Sequence, residues 1–328
     1  SYGVAKLSGS DRMENAPMAF VAETFQSPTG ASLRLHVQEA DGQPLGVVQI
    51  HHGLAEHSAR YARFASELAR AGFHVYAQDH RGHGGTVVSN TPRQMFAWKD
   101  GADKVIADVD MVHDLIAGQH PDLPVIAFGH SMGGLITLNY AMKHAQRLAG
   151  AAIWNSNFSA GALGHVARAL LAWERFRLGS DAPSRILPKL TFQAWNRQFE
   201  PVRTEFDWLS RDEAEVDKYV ADPLCGWDAS VSLWQDLFGF IFAGANDAGL
   251  KAIPRDFPLH LLGGERDPAT DGGKAVSHLK GRLDRLGFTA VDCTILPETR
   301  HESLNETNRE ETTRRFLEWA RETVARAG

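Results

Sequence analysis

Read by the spacing of its apolar residues, the chain alternates short β-type runs with helical ones. Phe20 to Ser27 and Ser32 to Gln38 flank Pro28-Thr29-Gly30, as two antiparallel strands joined by a tight turn would. Val47-Val48-Gln49-Ile50 predicts a third strand, and in the next stretch, Tyr61 to Ala71, Phe64, Ala65 and Leu68 share one helical face. His74 to Gln78 reads as a strand ending at Asp79, and Asp103 to Ala117 as a helix with Val105, Ile106, Val109, Val112 and Ile116 at helical spacing. A strand over Pro124 to Phe128, a helix over Gly134 to Leu148 and a strand over Ala151 to Trp154 follow. Later the rhythm resumes with Leu259 to Leu262, a helix near Lys274 to Leu286, the strand Val291 to Leu296 and a last helix from about Ser303. This alternation predicts an α/β fold with a mostly parallel, eight-stranded sheet and helices on both faces.

Between about Phe158 and Leu233 no clean strand appears. Short helical pieces, prolines (Pro183, Pro188, Pro201, Pro223) and Trp173, Trp195, Trp208 and Trp227 take its place. An insertion at this point is most simply a helical cap, or lid, over one edge of the sheet. The expected division is a core of residues 20–157 and 234–328, a cap of 158–233, and a tag remnant or disordered tail over 1–19. Leu163, Leu170, Leu171, Trp173, Phe176, Leu178, Phe192, Trp195 and Phe199 make the cap apolar, mostly for its own small core. Phe158, Trp173, Trp195 and Phe199 are the candidates for lining a substrate tunnel.

Composition narrows the function classes. A net charge of −6 over 328 residues leaves no basic footprint, so a nucleic-acid partner is not expected. Two cysteines far apart, Cys225 and Cys293, suit neither a disulfide framework nor a zinc ribbon, and fit a reducing cytoplasm. No run approaches the roughly 18 apolar residues of a membrane helix.

Candidate chemistry starts at Gly129-His130-Ser131-Met132-Gly133, between the strand ending at Phe128 and the helix opening at Gly134. Strand, Gly-x-Ser-x-Gly turn and helix make the nucleophile elbow of an α/β-hydrolase fold. Serine at the tip of so sharp a turn takes a strained backbone, and the residues two before and two after pass too close for a Cβ. The next amide, Met132 N–H, points where an oxyanion would form, aided by the helix N-terminus. Ser131 needs a base, and the base an orienting carboxylate, in the order Ser, Asp or Glu, His. Asp267 follows the strand Leu259 to Leu262, with Asp271 and Glu265 as rival acids; His301 follows the last strand, with His278 as a weaker rival base. The loop His51-His52-Gly53-Leu54-Ala55-Glu56-His57 should supply the second oxyanion donor, the Leu54 N–H. Its histidines, with His80 and His83, have no carboxylate or cysteine at zinc-like spacing, so loop scaffolding is preferred over a metal site. The chemistry requires no cofactor.

Three motifs in order carry a resemblance: His52-Gly53-Leu54-Ala55-Glu56-His57-Ser58-Ala59-Arg60-Tyr61, Asp79-His80-Arg81-Gly82-His83-Gly84 and Gly129-His130-Ser131-Met132-Gly133-Gly134. Together they resemble the monoacylglycerol lipase and lysophospholipase group of serine α/β-hydrolases, its bacterial branch most of all. Asp207-Trp208-Leu209-Ser210-Arg211-Asp212, Asp222-Pro223-Leu224-Cys225-Gly226 and Arg300 to Glu306 resemble that branch as well. The likeness implies Ser131 as nucleophile, Asp267 as acid, His301 as base, and Leu54 and Met132 as oxyanion donors. It implies a small-molecule acyl ester as substrate, monoacylglycerols or other medium-to-long-chain esters ahead of lysophospholipids. Short-chain esterases, peptidases, acyltransferases and a non-catalytic binding protein are the rival readings. Two departures stand out: Ala55 where many relatives have glycine, and Gly85-Thr86 where a serine usually follows Arg-Gly-His-Gly. Arg168, Arg175, Arg177 and Arg185 could meet an anionic headgroup, although a solvated face is the simpler reading for them, and an amphipathic cap could also graze a membrane surface.

Overall fold

Nine strands form one sheet in the computed structural model, which describes residues 20–328. They are β1 (Val21–Gln26), β2 (Ala31–Gln38), β3 (Gly46–His51), β4 (Phe73–Gln78), β5 (Val87–Val88), β6 (Val125–His130), β7 (Gly150–Trp154), β8 (Leu259–Gly264) and β9 (Val291–Leu296). The order across the sheet is β1-β2-β4-β3-β6-β7-β8-β9, with the two-residue β5 added beside β2. β1–β2, β2–β4 and β2–β5 are antiparallel, and every other pairing is parallel. The sequence predicts eight strands; β5 escapes it because two residues carry no periodicity. The tail expected over residues 1–19 lies outside the described residues.

Central strands read as near-continuous apolar runs because both their faces are covered. β3, β6 and β7 are buried at every position. One face packs under α2 (Gly101–Gln119), α3 (Met132–His144) and α10 (Lys274–Arg285), around Val109, Ile136 and Leu279. The other packs under α1 (Ala62–Arg70) and α11 (Arg309–Ala327), where Phe64, Phe128, Trp154 and Phe316 meet with ring centroids 4.9–6.5 Å apart. The last helix starts at Arg309 rather than near Ser303. Ser303–Asn305 forms a single 3₁₀ turn, and the buried Glu306 carboxylate accepts from the Arg300 and Thr307 amides, holding the chain in a loop first.

The insertion after β7 consists of α4 (Gly161–Leu178), α5 (Leu187–Leu190), α6 (Phe192–Arg197) and α7 (Glu213–Ala221). Trp208, Leu209 and Tyr219 form a small buried cluster there, flanked by Phe192, Trp195, Phe199 and Phe206. α8 (Val231–Ala245) and α9 (Asp247–Leu250) then lead back to β8.

Candidate active site

At the end of β6 the chain turns into α3 through Ser131, whose φ of 56° and ψ of −119° lie where residues with a Cβ are strained. A Cβ on Gly129 would sit 2.0 Å from the Gly133 carbonyl oxygen, and one on Gly133 1.8 Å from that of His51. Gly129 is therefore required by the close approach of the first turn of α3, and Gly133 by the crossing of that turn with β3. Ser131 N–H donates to the Trp154 carbonyl (2.8 Å), and Ser156 Oγ donates to the Ser131 carbonyl (2.7 Å), so β7 braces the elbow.

His301 Nε2 lies 3.0 Å from Ser131 Oγ, and His301 Nδ1 lies 2.9 and 3.0 Å from the two oxygens of Asp267. Asp267, fully buried at the end of β8, also accepts from Asn155 Nδ2 (3.1 Å), Ala269 N–H (2.9 Å) and Thr270 Oγ1 (3.2 Å). Burial opposes its charge, but His301 and these donors outweigh it and hold the carboxyl below the ordinary Asp range. Burial likewise opposes a charged His301, yet the Asp267 carboxylate beside it lifts the imidazole above its ordinary 6.5. The three groups can thus pass a proton from hydroxyl to imidazole with a carboxylate fixing the tautomer. The rivals stand apart. Asp271 and His278 are exposed, and Glu265 accepts from Glu298 N–H at the surface.

The amides of Leu54 and Met132 flank this site. Among the described residues neither donates to a protein acceptor, which leaves both free for an incoming oxygen. Ala55, the residue that departs from glycine, adopts φ 55°, and its carbonyl accepts from Gly226 N–H (2.9 Å) and Tyr219 Oη (3.1 Å) of the segment between β7 and β8. Thr86, the other departure, bonds the Asp79 carbonyl and the Arg34 amide, away from Ser131.

A cavity of about 40 Å³ opens onto Ser131 and His301. Phe192, Phe206, Trp208, Leu209 and Tyr219 form its apolar wall, Leu54 its floor, and Glu56 and Glu302 its polar side. Trp208 lies against His301, ring centroids 4.8 Å apart, and stacks on Phe192. Arg60 bridges the two carboxylates: it pairs with Glu56 and donates to both oxygens of Glu302 (3.1 and 2.7 Å). Burial alone would raise the Glu56 carboxyl, but Arg60 brings it down to about 2. Arg60, Glu56 and Glu302, with Asn155 and Ser303 behind the acid and Ser156 behind the elbow, were not among the sequence candidates; Arg60, Glu56 and Glu302 meet only because the fold joins positions 242 apart.

The expected tunnel residues distribute differently. Phe158 packs in the core against Gly244 and Leu138. Trp173 is 53% exposed on α4, because its side of that helix faces away from the cavity. Trp195 lies behind Phe192 and Trp208. Phe199 sits under the guanidinium of Arg300 and beside Arg266. None of the four lines the cavity at Ser131. Of the loop histidines, His57 joins Asp222 and Cys225 in a group of ligand atoms within 4.8 Å that could hold a metal ion, its Nε2 already 2.6 Å from Asp222 Oδ2. Spacing could not show this, since Asp222 lies 165 positions on.

Residues 42–308 match the family described as "Serine aminopeptidase, S33". The chain belongs to that family. Within and around it, the chain is 28% identical over 284 residues to the monoacylglycerol lipase of Mycolicibacterium smegmatis, covering 86% of this chain and 90% of that one. A structure described as a lipase in its open form superposes with a TM-score of 0.80 at 29% identity, over 92% of this chain and 98% of the other. A thermostable carboxyl esterase from Bacillus coagulans, in complex with glycerol, superposes at 0.85 over 94% and 99%, and its 24% identity shows the fold alone. This S33 member is accordingly a serine ester hydrolase of α/β-hydrolase fold, similar to monoacylglycerol lipases.

Proposed function

We propose that the protein hydrolyses carboxylic esters of monoacylglycerol type through Ser131, His301 and Asp267. Ser131 Oγ attacks the acyl carbonyl while His301 Nε2 takes its proton, and Asp267 holds the Nδ1–H and the imidazolium. The oxyanion rests on the Leu54 and Met132 amides. His301 then protonates the departing alcohol, and a water that gives its proton to the same nitrogen frees the acid and restores Ser131. The observation that carries this reading is the unbroken Ser131–His301–Asp267 chain at 2.9–3.0 Å. Ser131→Ala should abolish hydrolysis of p-nitrophenyl esters in a protein that still folds; retained turnover would reject the assignment.

The apolar wall of the cavity suits an acyl chain, and its acidic, hydrogen-bonded side suits a neutral polar alcohol. At about 40 Å³ the cavity admits only a few waters, so Phe192 and Trp208 must swing aside for a long chain. The name of the matched family also raises an aminopeptidase reading. That activity needs a carboxylate to receive a substrate ammonium, but Glu56 is held by Gly53 N–H, Tyr61 and Arg60, and Glu302 by Arg60 and Asn305. The ester reading is therefore favoured. A series of monoacylglycerols and p-nitrophenyl esters of rising chain length, beside lysophosphatidylcholine and proline amides, tests it against lysophospholipase, short-chain esterase and peptidase readings.

The cap supplies a second element of the proposal. α4 presents Leu163, Val166, Trp173 and Phe176 at 84, 54, 53 and 90% exposure, among Arg168, Arg175 and Arg177. An apolar ridge set in cations fits transient contact with an anionic lipid surface. No helix among the described residues is long and apolar enough to cross a membrane. The free thiols of Cys225 and Cys293 suit residence in the reducing cytoplasm.

A further inference from the structure

In and beneath the oxyanion loop lie buried histidines that this chemistry does not use: His51, His52, His80 and His83. His52 is the one whose ring bonds the loop backbone, at Gly53. Its Nε2 accepts from the backbone N–H of His80 (2.9 Å), a group that can only donate, so Nε2 carries no proton. The neutral ring therefore bears its proton on Nδ1, and the 2.7 Å contact of Nδ1 with the Gly53 carbonyl is a donated hydrogen bond. Burial disfavours the charged ring and keeps its pKa below the ordinary value, against the pull of Asp79 and Glu56. The rings of His80 and His83, with centroids 4.4 and 5.0 Å away, hem it in.

The Gly53 carbonyl and the Leu54 N–H are opposite edges of one planar trans peptide unit, so fixing the first aims the second. The backbone on either side is tied elsewhere: Gly53 N–H to Glu56 Oε1 (2.6 Å), the Ala55 carbonyl to the segment between β7 and β8. Between them this peptide, with glycine on one side and the left-handed Ala55 beyond Leu54, is the unit most able to flip, and a flip would aim a carbonyl at the oxyanion. We propose that His52 is a positioning residue for catalysis: anchored on His80 N–H, its ring holds the Gly53 carbonyl and thereby points the Leu54 N–H at the oxyanion. The inference rests on the reading of Leu54 as an oxyanion donor to a Ser131 ester intermediate.

Two substitutions separate positioning from simple support of the fold. Asparagine places an amide N–H near the position of Nδ1 and can still hold the Gly53 carbonyl, but leaves His80 N–H unpaired. Glutamine reaches the position of Nε2 and can accept from His80, but gives up Gly53. His52→Ala should lower kcat by about 10²-fold, the scale of losing one oxyanion donor, with KM little changed. His52→Asn should recover most of kcat while melting earlier; His52→Gln should recover the melting temperature and not kcat. Equal kcat in the Asn and Gln variants, or an unchanged kcat in His52→Ala, would overturn the proposal; if His52→Ala does not fold, the Asn–Gln comparison decides. Fluorophosphonate labelling of the unmodified protein keeps the two readings apart. Label on Ser131 with equal Asn and Gln variants sinks only the role of His52, whereas absence of label on Ser131 sinks the reading beneath it.

Discussion

Replacing Asp267 by asparagine removes one charge from the buried end of the proton path and little volume. Both carboxylate oxygens are occupied: Oδ1 accepts from Ala269 N–H (2.9 Å) and His301 Nδ1 (2.9 Å), Oδ2 from Asn155 Nδ2 (3.1 Å), Thr270 Oγ1 (3.2 Å) and His301 Nδ1 (3.0 Å). Whichever way the new amide turns, its NH₂ faces a donor. The relief available is for His301 to give up its Nδ1 proton and carry one on Nε2, which can then no longer accept from Ser131. The imidazolium formed during reaction also loses its counter-charge. Loss of an orienting carboxylate with the geometry kept costs about 10⁴-fold in kcat, or roughly 5 kcal/mol. One donor left unsatisfied adds about 1–3 kcal/mol of destabilisation. The assay is the initial rate on a p-nitrophenyl ester against pH, run beside Asp271→Asn. Asp271 is exposed, with Lys274 Nζ at 3.7 Å, and its variant should behave as the parent. An unchanged rate in Asp267→Asn, or an equal loss in Asp271→Asn, would refute the assignment of the acid.

Because His301 titrates above its ordinary 6.5 and must be neutral to act as base, kcat/KM should rise with pH through a midpoint above that value; a midpoint below it contradicts the Asp267–His301 pairing. The same raised pKa makes the pair stabilising: that contribution is fully present below the unfolded value and fades as pH climbs through the folded one, while the depressed Asp267 contributes above its unfolded value and loses its contribution as pH falls through its folded pKa. Gly133→Ala should cost roughly 3 kcal/mol or more in denaturant titration, since its Cβ would meet the His51 carbonyl at 1.8 Å. Gly281→Ala in α10, whose nearest neighbour is the end of Arg285 at 3.6 Å, should instead gain about 0.5–1 kcal/mol from helix propensity. Changing Trp173 and Phe176 together to serine should weaken sedimentation with anionic vesicles by about 10-fold or more, with rates on a water-soluble ester unchanged.

What the sequence displayed best was what local physics dictates. The strands around Val47, Val125 and Leu259 stand out because two-sided burial makes them apolar throughout, and Gly129 and Gly133 because a Cβ would run into α3 at the first and into β3 at the second. Ser131, Asp267 and His301 were singled out by topological order alone, each in the turn or loop after a strand, and His301 lies within 3.0 Å of both Ser131 Oγ and the Asp267 carboxylate. The cavity wall was not. Trp173 and Phe192 are equally apolar on paper; one faces solvent on α4 and the other meets Trp208, a difference set by how short helices dock rather than by period. The Glu56–Arg60–Glu302 bridge joins the β3 loop to the turn before α11, and no spacing rule reaches across that span. The histidines near residue 52 show composition without roles: only the paired donors and acceptors at His52 distinguish it from His51 and His80, each of which keeps a buried ring nitrogen without a hydrogen-bond partner.

Mass spectrometry of the protein after reaction with a fluorophosphonate decides whether a serine nucleophile stands at the tip of the β6–α3 turn. One adduct is expected, on Ser131, formed in step with loss of esterase activity, and none in Ser131→Ala. An adduct on another residue tracking that loss, or full esterase activity in Ser131→Ala, would contradict that assignment.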